Sequence, residues 1–190
     1  TVEEAVSVRN WVLERIEVAS VLDDPDARRR ALTVVVVGGG FAGVETISEL
    51  EDMAPQAVNR NDRLSVSDLR FVMIEAAPRI MPEVPEDRAE KVVAELRARG
   101  IEVLLNTSLS DATDGHLQLI NMTDKSPAGE MDTDTLIWTA GVAASPMLKN
   151  TDFPIDERGR VRVNADLRVA GDNGVAVSYT HLRAHETSLH

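Results

Sequence analysis

Five residues in a row, Thr33–Val37, are β-branched and followed by glycines, which predicts a strand covered on both faces. Upstream, Ala5, Val8, Val12, Ile16 and Ala19 recur at spacings of three and four, with Glu3, Glu4, Glu14 and Glu17 between them. That pattern predicts an amphipathic helix over residues 2–20. Asp23-Asp24-Pro25 breaks it, and Arg28-Arg29-Arg30 reads as a solvated lead-in to the strand. A helix follows from about Phe41 to Met53. Residues 54–69 are polar, contain Pro55 and Asn59-Arg60-Asn61, and read as a loop. Arg70–Glu75 is a second strand. Pro78, Pro82 and Pro85 punctuate the approach to a helix of Glu86–Arg99, stopped by Gly100. Glu102–Leu105 is a third strand.

Between residues 109 and 138 the period falls to two. Turn residues appear at Asp114-Gly115 and at Ser126-Pro127-Ala128-Gly129, so an antiparallel meander is expected. Leu136–Trp138 reads as a further buried strand running into Thr139-Ala140-Gly141. Strand and helix alternate, which predicts an α/β fold: a Rossmann-like doubly wound parallel sheet with an antiparallel β-meander, preceded by an N-terminal helix. Trp11 and Trp138 are expected in the core, and His116 at the surface.

Composition narrows the chemistry. The 190 residues suit about one domain, and with 43% hydrophobic but only 3% aromatic residues the core must be aliphatic. Twenty Lys and Arg against 32 Asp and Glu give a net charge of −12. Phosphate backbones and anionic lipid repel such a chain, so nucleic acid is not an expected partner. There is no cysteine, which removes thiolate metal sites, cysteine nucleophiles and redox dithiols. No His/Asp metal spacing and no Ser/His/Asp set is visible, so no metal is expected. No run of 18 apolar residues exists, as a membrane-spanning helix would need. The chain starts at Thr1 without a signal-peptide pattern, as a fragment would.

The sharpest motif is Gly38-Gly39-Gly40-Phe41-Ala42-Gly43, in which Gly38, Gly40 and Gly43 occupy the G-x-G-x-x-G places. The three glycines serve different ends, namely a tight turn, close approach of backbone to a pyrophosphate, and close packing of helix on strand. The loop follows a buried strand and opens a helix, where unpaired N–H groups favour an anion. Glu75 ends the next strand, and its carboxylate suits the two hydroxyls of an adenosine ribose. It lies 32 residues after Gly43 (75 − 43), against about 20 in the usual fingerprint; the polar stretch 54–69 accounts for the excess. Glu45, in the first turn of the helix, has two readings: a carboxylate favoured by the helix dipole, or a group beside the cofactor's path. Arg79 is close enough to Glu75 to meet a 2′-phosphate.

Several separated segments resemble one family: Arg9-Asn10 with Glu14–Ala19, Val36–Leu50 (VVGGGFAGVETISEL), Phe71–Pro82 (FVMIEAAPRIMP) and Leu136–Val142 (LIWTAGV). Together they look like the NADH-binding half of a type II NADH:quinone dehydrogenase, within the FAD- and NAD(P)-binding pyridine nucleotide-disulfide oxidoreductase superfamily. The resemblance implies that NADH passes hydride to FAD, and FAD to a quinone. It places Glu45 where nicotinamide meets flavin. Gly38 to Gly43, Glu75, Ala76 and Arg79 fall along the adenine half of NADH, and Ala140-Gly141 beside its nicotinamide. It implies a cytoplasmic enzyme peripheral to the inner face of the cell membrane, with room for a homodimer. A ferredoxin- or nitrite-reductase type of flavoprotein, or a nucleotide-binding module without turnover, is the alternative.

The same alignment divides the chain. Residues 1–32 are a leading helix and linker, 33–145 the NADH-binding domain, and 146–177 part of the return into an FAD domain. The first flavin glycine motif, the quinone site and the membrane anchor fall outside the fragment, so it is not expected to hold FAD by itself. Gly171-Asp172 imitates the family's second flavin motif, but by register that motif should begin at 178. Ser178–His190 (SYTHLRAHETSLH) stands there instead, and holds three of the four histidines. It reads as a non-native tail.

Overall fold

The structure, a computed structural model, describes residues 2–141, 144–171, 174–175 and 182–184. The chain forms two compact units, Thr1–Ala140 and Gly141–His190. In chain order the first contains α1 (Val2–Val21), α2 (Pro25–Ala31), β1 (Thr33–Val37), α3 (Phe41–Val58), β2 (Arg70–Ile74), α4 (Glu86–Ala98), β3 (Glu102–Leu104), β4 (Thr107–Thr113), β5 (His116–Asn121), β6 (Pro127–Asp132) and β7 (Thr135–Trp138). The second contains β8 (Val161–Val163) and β9 (Leu182–Ala184).

The α/β fold read from the sequence is present. A parallel sheet has the order β3-β2-β1-β7, and an antiparallel sheet the order β4-β5-β6. Side-chain alternation explains why β1 is buried throughout and β2 from Phe71 to Ile74. Val34, Val36, Phe71 and Met73 face one core, shared with Ile16 of α1, Ile47 and Leu50 of α3 and Val93 of α4. Val35, Val37, Val72 and Ile74 face the other, closed by Leu117, Leu119 and Met131 of the meander. The meander thus covers one sheet face and the helices the other, so four successive residues in each of β1 and β2, Val34–Val37 and Phe71–Ile74, can all be apolar.

Four local expectations are corrected. Asp23-Asp24-Pro25 ends α1 but also starts α2: Asp24 caps it by accepting from Asp26 N, and Pro25 fits the first turn, where no N–H is needed. Of the three arginines of α2, Arg29 is solvated as expected and pairs with Asp26 at the surface, whereas Arg28 and Arg30 are tied into the fold. Arg28 donates to Leu22 O, and Arg30 reaches Asp134 Oδ1 at 2.6 Å and Asp114 O at 2.6 Å. Next, α3 runs past Pro55 to Val58, because Ala54 and Val58 continue the buried stripe of Ile47 and Leu50. Third, Pro127–Gly129 lie in β6, and the turn falls just before them.

Lastly, neither tryptophan is core. Trp11 is 43% exposed and pins the β6–β7 connection, its Nε1 donating to Asp134 O and Thr135 Oγ1 at 3.1 Å each. Arg15 stacks 4.4 Å from its ring centroid. Trp138 and Leu136 are exposed because β7 is an edge strand, not a buried one. His116 is on the surface strand β5, between Asp132 at 2.8 Å and Glu130 at 2.9 Å.

The second unit has its own small core of Leu148, Val161, Val163 and Val169. Asp156 is buried there. Its carboxyl accepts from the main-chain N–H groups of Arg160 and Arg158 and from Arg160 Nε, which holds it down at about 2. The backbone of β9 pairs in parallel with β8. Of the tail 178–190 only these three residues are described, and Asp172 of the flavin-motif lookalike also lies outside the described residues.

Candidate functional site

Pairing of Val37 with Ile74 and with Trp138 brings the ends of β1, β2 and β7 level. The loops that follow therefore leave the carboxyl edge of the sheet side by side, where open α/β sheets bind ligands.

The glycines after β1 do different work. Gly38 sits at φ +113°, donates its N–H to Ile74 O at 2.8 Å, and lies against β7's exit: a Cβ there would come within 2.7 Å of Thr139 Oγ1 and 2.8 Å of Ala140 N. Gly39 is tied to the loop after β2. Its N–H donates to Glu75 Oε2 at 2.6 Å, its carbonyl accepts from Met81 N at 2.8 Å, and a Cβ would strike Ile80 Cγ2 at 2.6 Å. A Cβ on Gly43 would sit 1.8 Å from Gly38 O, so here helix and strand touch backbone to backbone.

Gly40 is the exception. It caps α3 in an extended conformation, and a Cβ there would meet nothing within 4 Å. The first helical bond runs from Val44 N to Gly40 O, so the N–H groups of Phe41, Ala42 and Gly43 have no helical acceptor. Phe41 and Ala42 are exposed. Bare backbone at Gly40 beside unpaired N–H groups at a helix start is a cradle suited to a phosphate-class anion. The donor set fits a pyrophosphate.

Glu75 is half-buried and pre-set. Oε2 accepts from Gly39 N and Oε1 from Ala77 N at 2.7 Å. Each carboxylate oxygen has a second lone pair, so ribose hydroxyls can still be accepted. Ala76 beside it is exposed. Arg79 points elsewhere: its guanidinium donates to Pro82 O and to Val84 O at 3.2 Å, closing the loop onto itself. Glu45 is exposed, without an ion-pair or hydrogen-bond partner among the described residues. It is the fifth residue of α3, so it belongs to the second turn rather than the first. The helix dipole acts mainly within the first turn, which weakens the purely electrostatic reading of that carboxylate. Ala140 lies against Gly38, and Gly141 turns the chain at φ +80°.

The structure therefore brings together Gly38 to Gly43, Glu75 and Ala140, and turns Arg79 away. Sequence reading missed Ile80, Met81 and Thr139. Ile80 is fully buried under Gly39, and Met81 takes a left-handed φ of +47°. An apolar pair, Ile80-Met81, set between Arg79 and Pro82 in the loop after β2 was the available signal. Among the described residues no group of three or more His, Cys, Asp or Glu is arranged to hold a metal ion, and no helix is long and apolar enough to cross a membrane.

The sequence profile of the pyridine nucleotide-disulphide oxidoreductases matches residues 11–177. A probable NADH dehydrogenase of Dictyostelium discoideum is 30% identical over 173 residues, covering 90% of this chain and 37% of that protein. The type II NADH:quinone oxidoreductase NdhA of Mycobacterium tuberculosis is 33% identical over 185 residues, covering 93% and 38%. This chain thus spans under two-fifths of the length of these relatives. Among solved structures, NDH2 from Plasmodium falciparum in complex with NADH superimposes with a TM-score of 0.78 at 20% identity, over 97% of this chain and 37% of that one.

Proposed function

Since the chain belongs to the pyridine nucleotide-disulphide oxidoreductase family, we propose that it is the NADH-binding portion of a flavin-dependent NADH:quinone oxidoreductase. The observation that carries this reading is the bond from Gly39 N–H to Glu75 Oε2 at 2.6 Å. It joins the two halves of a dinucleotide fingerprint into one rigid edge, with the pyrophosphate cradle at Gly40–Gly43 on one side and a ribose acceptor on the other. NADH would supply the hydride, and FAD, when bound, would supply the redox chemistry that carries its electrons on to a quinone. The names of the relatives support that acceptor. On the same reading the parent enzyme works in the cytoplasm, at the inner face of the cell membrane.

In this mechanism the chain's own residues bind and orient. The N–H groups of Phe41, Ala42 and Gly43 take the pyrophosphate, and bare Gly40 lets it approach. Glu75 accepts the adenosine ribose hydroxyls, with Ala76 beside it. Glu45 and the Ala140-Gly141 turn flank the nicotinamide end. Glu75 also selects NADH, because a 2′-phosphate would lie against a carboxylate while Arg79 is held by Pro82 and Val84.

Calorimetric titration with both nucleotides tests this. NADH should bind at least about tenfold tighter than NADPH, a difference of about 1.4 kcal/mol, and Glu75→Ser should narrow the gap. Equal or tighter NADPH binding by the unmodified chain would overturn the assignment of Glu75.

A further inference from the structure

Thr139 follows β7 and does more than end it. Its Oγ1 donates to Val37 O at 2.9 Å and lies 3.2 Å from Gly38 O, while its own N–H donates to Val37 O at 2.8 Å. Two glycines of the fingerprint make room for this hydroxyl. A Cβ on Gly38 would approach it to 2.7 Å and one on Gly43 to 2.9 Å. At these distances an O–H fits and a methyl group does not, since carbon and carbonyl oxygen meet at about 3.3–3.6 Å.

The place of this contact matters. The order β3-β2-β1-β7 sets β1 between the strand that carries Glu75 and the strand that carries Ala140. A dinucleotide whose ribose meets Glu75 and whose pyrophosphate meets the β1 loop must run its other half toward β7. The gap between the β1 loop and Ala140 therefore fixes where that half can lie. Gly38 borders Ala140 directly, and the Thr139 hydroxyl bridges the two strand exits.

We propose that Thr139 is a positioning residue, whose hydroxyl sets the spacing between the pyrophosphate loop and Ala140 and so the seat of the nicotinamide half of NADH. The assignment rests on the dinucleotide reading above and adds a residue to it. Its signature is selective. Removing the hydroxyl should weaken the ligand that reaches β7 and spare one that stops at the second ribose.

The test compares NADH with ADP-ribose, which lacks nicotinamide, by calorimetry on the 190-residue chain and its variants. For Thr139→Val and Thr139→Ala, NADH affinity should fall about fivefold or more while ADP-ribose affinity stays within about twofold, as expected for one lost hydrogen bond at a positioning contact. Thr139→Ser, which keeps the hydroxyl, should restore the original ratio. If Thr139→Val does not fold by circular dichroism, the Ala variant carries the comparison, because it removes the hydroxyl without adding a clash. Equal losses for both ligands would reduce Thr139 to a support of the fold, and no loss for either would remove the role altogether; each overturns the proposal. An unmodified chain that binds neither ligand overturns the dinucleotide reading itself, a failure visible before any variant is measured.

Discussion

Alanine at Gly43 and alanine at Gly40 should fail in opposite ways, although both add one methyl group to the same loop. At Gly43 the new Cβ would lie 1.8 Å from Gly38 O and 2.9 Å from Thr139 Oγ1. Normal contact with the carbonyl oxygen needs about 3.3 Å, so α3 and the Gly38 peptide must separate by roughly 1.5 Å. Overpacking of that kind costs about 1–3 kcal/mol. Disturbing the Thr139 hydroxyl bonds adds about 1 kcal/mol, and the better helix propensity of alanine returns about 1 kcal/mol. The net loss is about 1–3 kcal/mol, or a melting temperature lower by about 2–12 °C for a chain of this size. At Gly40 the new Cβ meets nothing within 4 Å, and the backbone there is extended. Stability should change by less than about 1 kcal/mol, the scale of an N-cap substitution. The methyl group would instead occupy the face offered to the pyrophosphate, and NADH affinity should drop about tenfold or more. Thermal melts by circular dichroism and NADH titrations on the same samples separate the two effects. A Gly43→Ala protein as stable as the original, or a Gly40→Ala protein with undiminished NADH affinity, would refute this division of labour.

Two further outcomes follow. Hydrogen bonding to Asp132 foremost, together with the nearby Glu130 charge, raises the His116 pKa above its ordinary value; whatever stability the pairing provides is present below the unfolded value of about 6.5 and is lost as pH rises through the folded one. NMR titration of the ring should show the raised midpoint, and Asp132→Asn should return most of the shift; a midpoint indifferent to that change would contradict the cause. In the full-length enzyme Glu45→Gln should slow reduction of the flavin by NADH while leaving NADH affinity intact, as a positioning group would, and stability should move by less than about 0.5 kcal/mol because the residue lies beyond the first turn of α3. Stopped-flow flavin bleaching at an unchanged rate would leave Glu45 a surface charge.

The parts of the molecule readable in advance are those written in neighbouring residues. The apolar run of β1, the glycines behind it and the carboxylate closing β2 each announce themselves within a short window, because turn geometry and two-sided burial are local demands. Errors arise where one residue admits two local meanings. Pro25 ends one helix and starts another, and the choice lies in Asp24, whose side chain caps the second. Pro55 sits inside α3 because burial of Ala54 and Val58 outweighs the lost main-chain bond. Trp138 reads as core until the sheet order makes its strand an edge. Thr139 is not readable at all, since its acceptors Val37 O and Gly38 O lie more than 100 residues earlier.

That separation also sets an order of events. During synthesis β1, its glycine loop and Glu75 are all made before residue 139, and with Thr139 64 residues after Glu75 (139 − 75) the wait at about 5–20 residues per second lasts roughly 3–13 s. Throughout it the Gly39 bond to Glu75 can form, while the Gly38 carbonyl has no hydroxyl to receive and the edge of β1 awaits β7. The ribose side of the nucleotide seat is thus finished first and its opposite side last. A nucleotide spanning both would find its complete seat only after the final strand has docked.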